Sequence, residues 1–383
     1  MLLVFPMQKV TMRTRPIAVL ASLALTLGLT ACGSSSSSSK HLSLVAYSTP
    51  QGAFEKLIPA FQASSVGKGV SFSQSYGPSG EQSRAVANGL SADVVNLSLA
   101  PDVEKLVKAG LVSPTWNQNA THGFVTNSVA VIIVRKGNPK HITGWSDLVK
   151  PGVGVLTPNP FTSGSARWNI MAAYGAQLKE GKTPAAAQAY LKALFHNVVS
   201  QDSSARNALQ TFLAGRGDAL IDYEDEAISD EKKGAAIEYV IPSDTILIQN
   251  PIAVVSKGNT AEAQKFVNYL LSPAGQAIWA SKGYRPVIPG IVVLNPKTGA
   301  VGKMITLSGL HGDSIACSSA TECQVLGFKL KGPAATSGVI AVSHGKAGAF
   351  KDYPGSLSDI ACPTASLCYA VGTSSGKSVI DRI

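Results

Sequence analysis

Short apolar runs alternate with small polar turns and with apolar positions at helical spacing from residue 42 to about residue 290. Residues 42–46 form one such run. Tyr47-Ser48-Thr49-Pro50 follows it, and Phe54, Leu57, Ile58 and Phe61 then recur every three or four positions. The run reads as a buried strand, and the spacing behind it as a helix with one apolar face. The same order returns three times. Tyr76-Gly77-Pro78-Ser79-Gly80 precedes a helical pattern through Arg84, Val86 and Leu90. Asn159-Pro160-Phe161-Thr162-Ser163-Gly164-Ser165-Ala166-Arg167-Trp168 turns tightly and opens into a helix whose apolar face starts with Trp168, Met171 and Tyr174. Asp202-Ser203-Ser204-Ala205-Arg206 leads into Leu209, Phe212 and Leu213, with Gly215 as its stop. Further strands are predicted at 129–134 and 252–255, and further amphipathic helices at 261–271 and 273–280.

Repeated strand, turn and helix units predict an α/β fold, whose turns gather at the carboxyl ends of the strands. A helix start leaves N–H groups unpaired and carries partial positive charge, so it can hold an anion without a formal countercharge. One small-residue turn means little, since an ordinary capped helix has the same look. Four aimed at one crevice would form an anion cage.

Composition changes the picture by exclusion. The chain is 45% apolar and 15% charged, enough for a sizeable core. Its net charge is +10, of which Lys9, Arg13 and Arg15 near the N-terminus supply three. The remaining basicity would draw in small anions. It is not clustered with aromatic residues as nucleic-acid binding requires, so no nucleic-acid partner is expected. Neither GxxxxGK[ST], HExxH nor CxxC is present, and the six His residues are scattered singly. No cofactor or metal site is predicted, and no nucleophile, base and orienting group stand together as a hydrolase would need.

Specific motifs extend the reading. They are Gln74-Ser75-Tyr76-Gly77-x-Ser79-Gly80, Ala92-Asp93-Val94-Val95, Lys136-Gly137-Asn138-Pro139-Lys140 and Trp145-x-Asp147-Leu148-x-Lys150-Pro151-Gly152-Val153. Thr157-Pro158-Asn159-Pro160-x-x-Ser163-Gly164-x-Ala166-Arg167-Trp168-Asn169, Lys192-Ala193-Leu194-Phe195, Asp202-Ser203-x-Ala205-Arg206 and Ser272-Pro273-x-Gly275-Gln276 continue the series. In this order and spacing the chain resembles, over residues 42–290, the periplasmic sulfate/thiosulfate-binding proteins of ABC importers. The resemblance implies a two-lobed α/β core of the type II periplasmic-binding-protein kind, with the second lobe at about 130–250. It also implies a monomer that delivers sulfate or thiosulfate to a membrane permease.

As ligands the resemblance implies main-chain N–H groups at Ser48, Ser79, Gly164, Ser165 and Ala205, with the Ser163 hydroxyl. Ser48 stands where the family has Asp, and Ser165 where it has a second Gly. Tyr223 stands where a Trp is common; a phenol can donate like an indole, but it can also accept. Arg167 and Arg206 have two open readings, surface charge or a brace behind the loops. Sulfate has no proton to give and suits a cage of donors. No Asp or Glu occupies the inferred contact positions, although Glu81, Asp202 and Glu224 lie close enough in sequence to keep phosphate open.

The two ends differ from this core. Residues 1–31 combine a basic stretch with an apolar one at 16–29 that is shorter than a membrane span requires. Leu29-Thr30-Ala31-Cys32-Gly33 reads as a lipoprotein signal-peptidase box, with Cys32 lipidated and the serines at 34–39 as a tether within 32–41; cleavage of a plain signal peptide near Ala31 is the alternative. Either reading places the protein outside the cytoplasm. At 291–383 a unit ending in Cys317-x5-Cys323 recurs 45 residues later as Cys362-x5-Cys368, each followed by an apolar run and Gly. This period predicts a small β-rich segment resembling propeller blades. Two local disulfides are expected in an exported chain, with a four-thiolate zinc site as the alternative.

Three functions stay on the table. The first is a lipid-anchored binding protein for sulfate or thiosulfate. The second is a binding protein for molybdate, tungstate or phosphate, and the third a surface glycan-binding or adhesive protein with a degenerate core.

Overall fold

The structure is a computed structural model. It describes residues 40–288, 291–294, 301–305, 311–317, 322–331, 334–343, 346–364, 367–374 and 377–382. The expected signal segment, Cys32 and the serine tether lie outside the described residues.

The predicted alternation is present. In chain order the elements are β1 (His41–Tyr47), α1 (Gln51–Ala63), β2 (Ser71–Gly77), α2 (Ser79–Ala87), β3 (Val94–Asn96), α3 (Ala100–Lys108) and the long strand β4 (Phe124–Arg135). A short 3-10 turn at Trp145–Val149 precedes β5 (Val155–Leu156), α4 (Gly164–Lys179), α5 (Pro184–His196), β6 (Val198–Ser200) and α6 (Ala205–Leu213). β7 (Ala219–Tyr223), α7 (Glu224–Lys232), β8 (Ile237–Val240), β9 (Leu247–Val254), α8 (Thr260–Leu270) and α9 (Pro273–Ser281) complete the core.

Nine strands join in one sheet of order β2-β1-β3-β9-β4-β7-β5-β6, with β8 also beside β4. β1 runs parallel to β2 and β3, and β5 parallel to β6 and β7. Two strands tie these parallel groups together. β4 pairs with β9 from Phe124 to Val129 and with β7 and β8 from Ala130 to Arg135. β9 pairs with β4 up to Pro251 and with β3 from Ile252. The sheet therefore has two halves hinged on two crossing strands, which is the two-lobed α/β architecture expected.

Alternation along the strands builds a core on each face of each half. On β1, Leu42, Leu44 and Ala46 join Phe54, Leu57 and Phe61 of α1 and Phe266 of α8, while Val45 joins Val86, Leu97 and Leu106 on the other face. On β4, Ala130, Ile132 and Val134 meet Ala172, Ala173 and Ala176 of α4, while Val129, Val131 and Ile133 meet Leu209 and Phe212 of α6.

Two expectations need correction. α4 does not bury a Trp168, Met171 and Tyr174 face: Met171 is 52% exposed, and the buried residues are small, with Ala172, Ala173 and Ala176 laid against the sheet. Small side chains let this helix approach closely, so the buried stripe is the one that leaves no bulk between backbone and sheet. Leu90 lies beyond α2 and is exposed, because the helix ends at Ala87 and Gly89 follows at φ +105°.

Beyond residue 290 the elements of the described residues are all strands. β10 (Ile291–Leu294) pairs with β11 (Val301–Ile305). β12 (His311–Cys317), β13 (Glu322–Lys331), β14 (Ala334–Ser343) and β15 (Lys346–Asp352) form a four-stranded antiparallel meander. β16 (Ser356–Thr364), β17 (Leu367–Ser374) and β18 (Lys377–Arg382) form a three-stranded one. Leu326 and Val339 of the first sheet pack with Leu357, Ile360 and Ala370 of the second. Cys362 and Cys368 are joined as a disulfide. Cys323 is disulfide-bonded too and faces Cys317 in register across β12 and β13, although the Cys317 side chain lies outside the described residues. Three of the four cysteines in the repeat are thus not free thiolates, which removes the zinc alternative.

Candidate functional site

The loop before α4 is shaped by Asn159. Its carbonyl accepts from Thr162 N at 3.2 Å and Ser163 N at 2.8 Å, and its side chain accepts from Phe161 N at 2.9 Å. Ser163 then sits at the N-cap in extended conformation and is buried, with its hydroxyl making no capping bond. Among the described residues the N–H groups of Gly164 and Ser165 have no hydrogen-bond partner, and neither has the buried Ser165 Oγ.

The α2 start meets this loop. Gly80 N donates to Thr162 O at 3.0 Å. A Cβ at Gly80 would stand 2.9 Å from that oxygen and 3.0 Å from Arg167 Nη2, so glycine is required by close approach. Ser79 is buried and its hydroxyl is committed: it donates to Asp102 Oδ2 at 2.7 Å and accepts from Ser98 N at 3.0 Å. Only its N–H is left over. The α6 start joins from the other side. Asn159 N donates to Asp202 O at 2.7 Å and Thr162 Oγ1 to Ser203 O at 2.7 Å, while Ser204 caps the helix through Asn207 N. Ala205, buried behind that cap, also has an N–H with no partner among the described residues.

Tyr223 closes the arrangement. Fully buried at the end of β7, its hydroxyl lies 2.7 Å from Ser98 Oγ, and its ring is 6.4 Å from that of Tyr47, the residue before Ser48. Burial pushes the phenol well above its usual pKa, so it acts as a neutral hydroxyl. Thr49 accepts from Arg206 Nη2 at 2.9 Å, which brings the Ser48 turn to α6. All seven residues predicted as ligands therefore belong to turns that meet in the seam between the two sheet halves.

Both arginines tie elements of that seam together. Arg167 grips Asp102 with two bonds of 3.1 and 2.9 Å, linking α4 to α3 and, through Asp102, to Ser79. Burial would raise the Asp102 pKa, but hydrogen bonds from Arg167, Lys105 and Ser79 outweigh it and hold the carboxyl below its usual range. Arg206 bonds Glu226 at 2.7 Å as well as Thr49 O. Of the three carboxylates that kept phosphate open, Glu81 is exposed, Asp202 takes Ser200 and Thr211, and Glu224 takes Arg285.

Sequence reasoning missed Ser98, Asp102 and Thr162. Ser98 accepts Trp168 Nε1 at 2.9 Å and Asn250 Nδ2 at 3.0 Å on its carbonyl, and a Cβ on Gly164 would collide with its side chain. A signal existed: Val94-Val95-Asn96-Leu97, apolar at all but Asn96, is closed by Ser98 before a helix, a fifth copy of the same device. Nothing local marked Asp102, whose partner is 65 positions away. One further motif, Gly372-Thr373-Ser374-Ser375-Gly376, fits G-x-S-x-G. Its Gly372, Thr373 and Ser374 belong to β17, which pairs with β18, so it does not stand at a strand-to-helix turn and has no nucleophile-elbow context.

Two α/β halves on a pair of crossing strands, with helix starts meeting in the seam, have the architecture of a solute-binding protein. The chain belongs to the bacterial extracellular solute-binding proteins, whose family model matches residues 42–285. It is 40% identical to the sulfate-binding protein of Synechococcus elongatus over 282 residues, covering 70% of this chain and 81% of that one. The thiosulfate-binding protein of Pseudomonas aeruginosa is 35% identical over 275 residues, with 68% and 83% covered. Among solved structures, the sulfate-binding protein SubI from Mycobacterium tuberculosis H37Rv superposes with a TM-score of 0.64 at 43% identity, over 65% of this chain and 88% of that one. The resemblance drawn from the motifs is borne out by these relatives. Among the described residues no helix is long and apolar enough to cross a membrane.

Proposed function

We propose that this protein captures sulfate or thiosulfate between its two lobes, without turning it over, and hands it to an ABC permease. The supporting observation is the convergence of Ser48, Ser79, Gly164, Ser165 and Ala205, whose N–H groups have no partner among the described residues, at one seam with the Ser163 and Tyr223 hydroxyls. Burying a dianion is costly unless each oxygen meets donors, and several helix starts provide them without a proton acceptor. Asp102, the buried carboxylate bonded to Ser79, is saturated by Arg167, Lys105 and Ser79, which favours sulfate over a protonated oxyanion. Relatives that bind sulfate and thiosulfate support the same choice.

In this reading residues 42–290 are the binding core, with the second lobe at about 130–250, residues 291–383 are an appendage, and the protein works as a monomer. Lipid on Cys32 anchors it outside the cytoplasm. Isothermal titration of the folded protein with sulfate should show one saturable site. Heat from phosphate with none from sulfate or thiosulfate would overturn the assignment. Mass spectrometry of the exported protein should find diacylglycerol on Cys32, and an unmodified N-terminus would remove the anchor.

A further inference from the structure

Four carboxyl groups crowd into residues 222–226, directly behind Tyr223. All four are buried: Asp222 at 0% exposure, Glu224 at 6%, Asp225 at 2% and Glu226 at 1%. Two have a cation. Arg285 holds Glu224 through bonds of 2.7 and 3.0 Å, and Arg206 holds Glu226 at 2.7 Å. Among the described residues Asp222 and Asp225 have none. A buried carboxylate without a cation is strongly disfavoured, and such a group neutralises itself by keeping its proton. Among the described residues Asp222 Oδ2 has no hydrogen-bond partner, and Asp222 sits on β7 opposite Val131 of β4.

Asp225 is placed differently. Its Oδ1 accepts from Ser128 Oγ at 2.7 Å, on the crossing strand β4. Residues of the first half cover its other side. Gly283 packs so tightly on it that a Cβ there would stand 3.0 Å from Asp225 Cα, and the Tyr284 hydroxyl faces its carboxyl. Asp225 also lines a 240 Å³ cavity, mostly polar, shared with Thr49, Glu55, Arg206, Glu226 and Tyr284 and rimmed by Lys233 and Lys282. The neighbouring Glu226 has a buried Oε2 with no partner facing this region. Tyr47, Tyr223 and Tyr284 around it are held neutral by burial, and among the neighbouring carboxyls burial raises Glu226 to about 7, with Arg206 pulling the other way, and holds Asp222 well above its usual range. Separating the halves would lift Thr49 and Tyr284 away and return Asp225 to water.

We propose that Asp225 takes up a proton when the seam closes on its anion, so that the protein binds a dianion and a proton together. This rests on the anion-binding reading above. Burial raises the Asp225 carboxyl to about 6 in the closed form, with the Ser128 and Tyr284 hydrogen bonds pulling the other way. In water an aspartate has a pKa of about 3.9. The closed form therefore holds more protons than the open one. Its advantage is full below about pH 4 and is lost as pH rises through about 6. A dianion arriving beside Tyr223 works in the same direction, since added negative charge favours the neutral acid.

Two calorimetric readings test this on the full chain with sulfate as probe. Affinity should rise about tenfold from pH 7 to pH 5, the change a shift of about two pKa units produces over that window. At pH 6 the heat should differ between buffers of unequal ionisation enthalpy, by the amount that corresponds to roughly half a proton taken up. Asp225→Asn keeps the acceptor for Ser128 and should weaken both dependences, leaving only what Glu226 contributes. Sulfate heat that is unchanged with buffer and with pH overturns the inference while leaving the binding function intact. Absence of any sulfate, thiosulfate or molybdate heat overturns both. If Asp225→Asn does not fold, the wild-type buffer comparison decides alone.

Discussion

Ser163 and Gly164 test the site most directly. Ser163 is an N-cap whose hydroxyl caps nothing, which leaves it available to a ligand. Ser163→Ala should weaken sulfate binding by about 1.5–3 kcal/mol, the range for a hydrogen bond to a charged group, as read by calorimetry. Gly164→Val should be worse, because any Cβ there collides with Ser98 and Leu99 across the seam. Unchanged affinity in both variants would remove this turn from the site. Tyr223 shows what residue-level reading missed. As a replacement for Trp it raises the question of what a phenol does there. Its bond to Ser98 Oγ makes it part of the closure itself, which could be seen only once residues 98 and 223 were adjacent.

Among the elements, the turn at Trp145–Val149 carries a pH-dependent load. Asp147 Oδ2 collects Thr143 N at 2.7 Å, Thr143 Oγ1 at 2.9 Å and Gly144 N at 3.2 Å, and its Oδ1 pairs with Lys150 at 2.6 Å. The Lys150 hydrogen bond and these donors lower its pKa to about 2 against the cost of burial. A depressed carboxyl stabilises the fold above its unfolded pKa of about 3.9, and that contribution disappears as pH falls through about 2. Asp147→Asn should therefore cost about 2 kcal/mol at pH 7 and almost nothing at pH 2, measured by denaturant unfolding. A cost independent of pH would mean that packing, not charge, matters here. α4 shows the limit of pattern at this scale. Its large residues suggested one face, but closeness to the sheet selected the alanines.

At the scale of the molecule, the core and the strands beyond residue 305 have separate hydrophobic clusters. Deleting residues 306–383, which leaves the β10 and β11 pair in place, should preserve sulfate affinity. Lost binding by a deletion protein with native circular dichroism would refute that separation. Replacing Cys362 and Cys368 by serine should destabilise only the appendage, by no more than about 2–3 kcal/mol, because the bridge closes a short loop. Non-reducing peptide mapping should find that bridge along with one from Cys323 to Cys317; a Cys317 to Cys362 link would contradict it.

Local chemistry made much of this legible in advance. Apolar runs at 42–46, 129–134 and 252–255 had to be strands, and Ser-rich turns before helical spacing had to be helix starts, since both depend on neighbours in the chain. The Cys-x5-Cys period foretold the Cys362–Cys368 bridge for the same reason. Three things depended on contacts far apart in sequence and so belonged to the tertiary structure alone. β4 and β9 change partners midway and create a seam. Asp102 and Arg167 meet across it, as do Ser98 and Tyr223. Asp225 lacks a cation because the two arginines that come near bond Glu224 and Glu226 instead. A sequence lists four acids in a row of five; only the folded chain decides which of them are left without a partner.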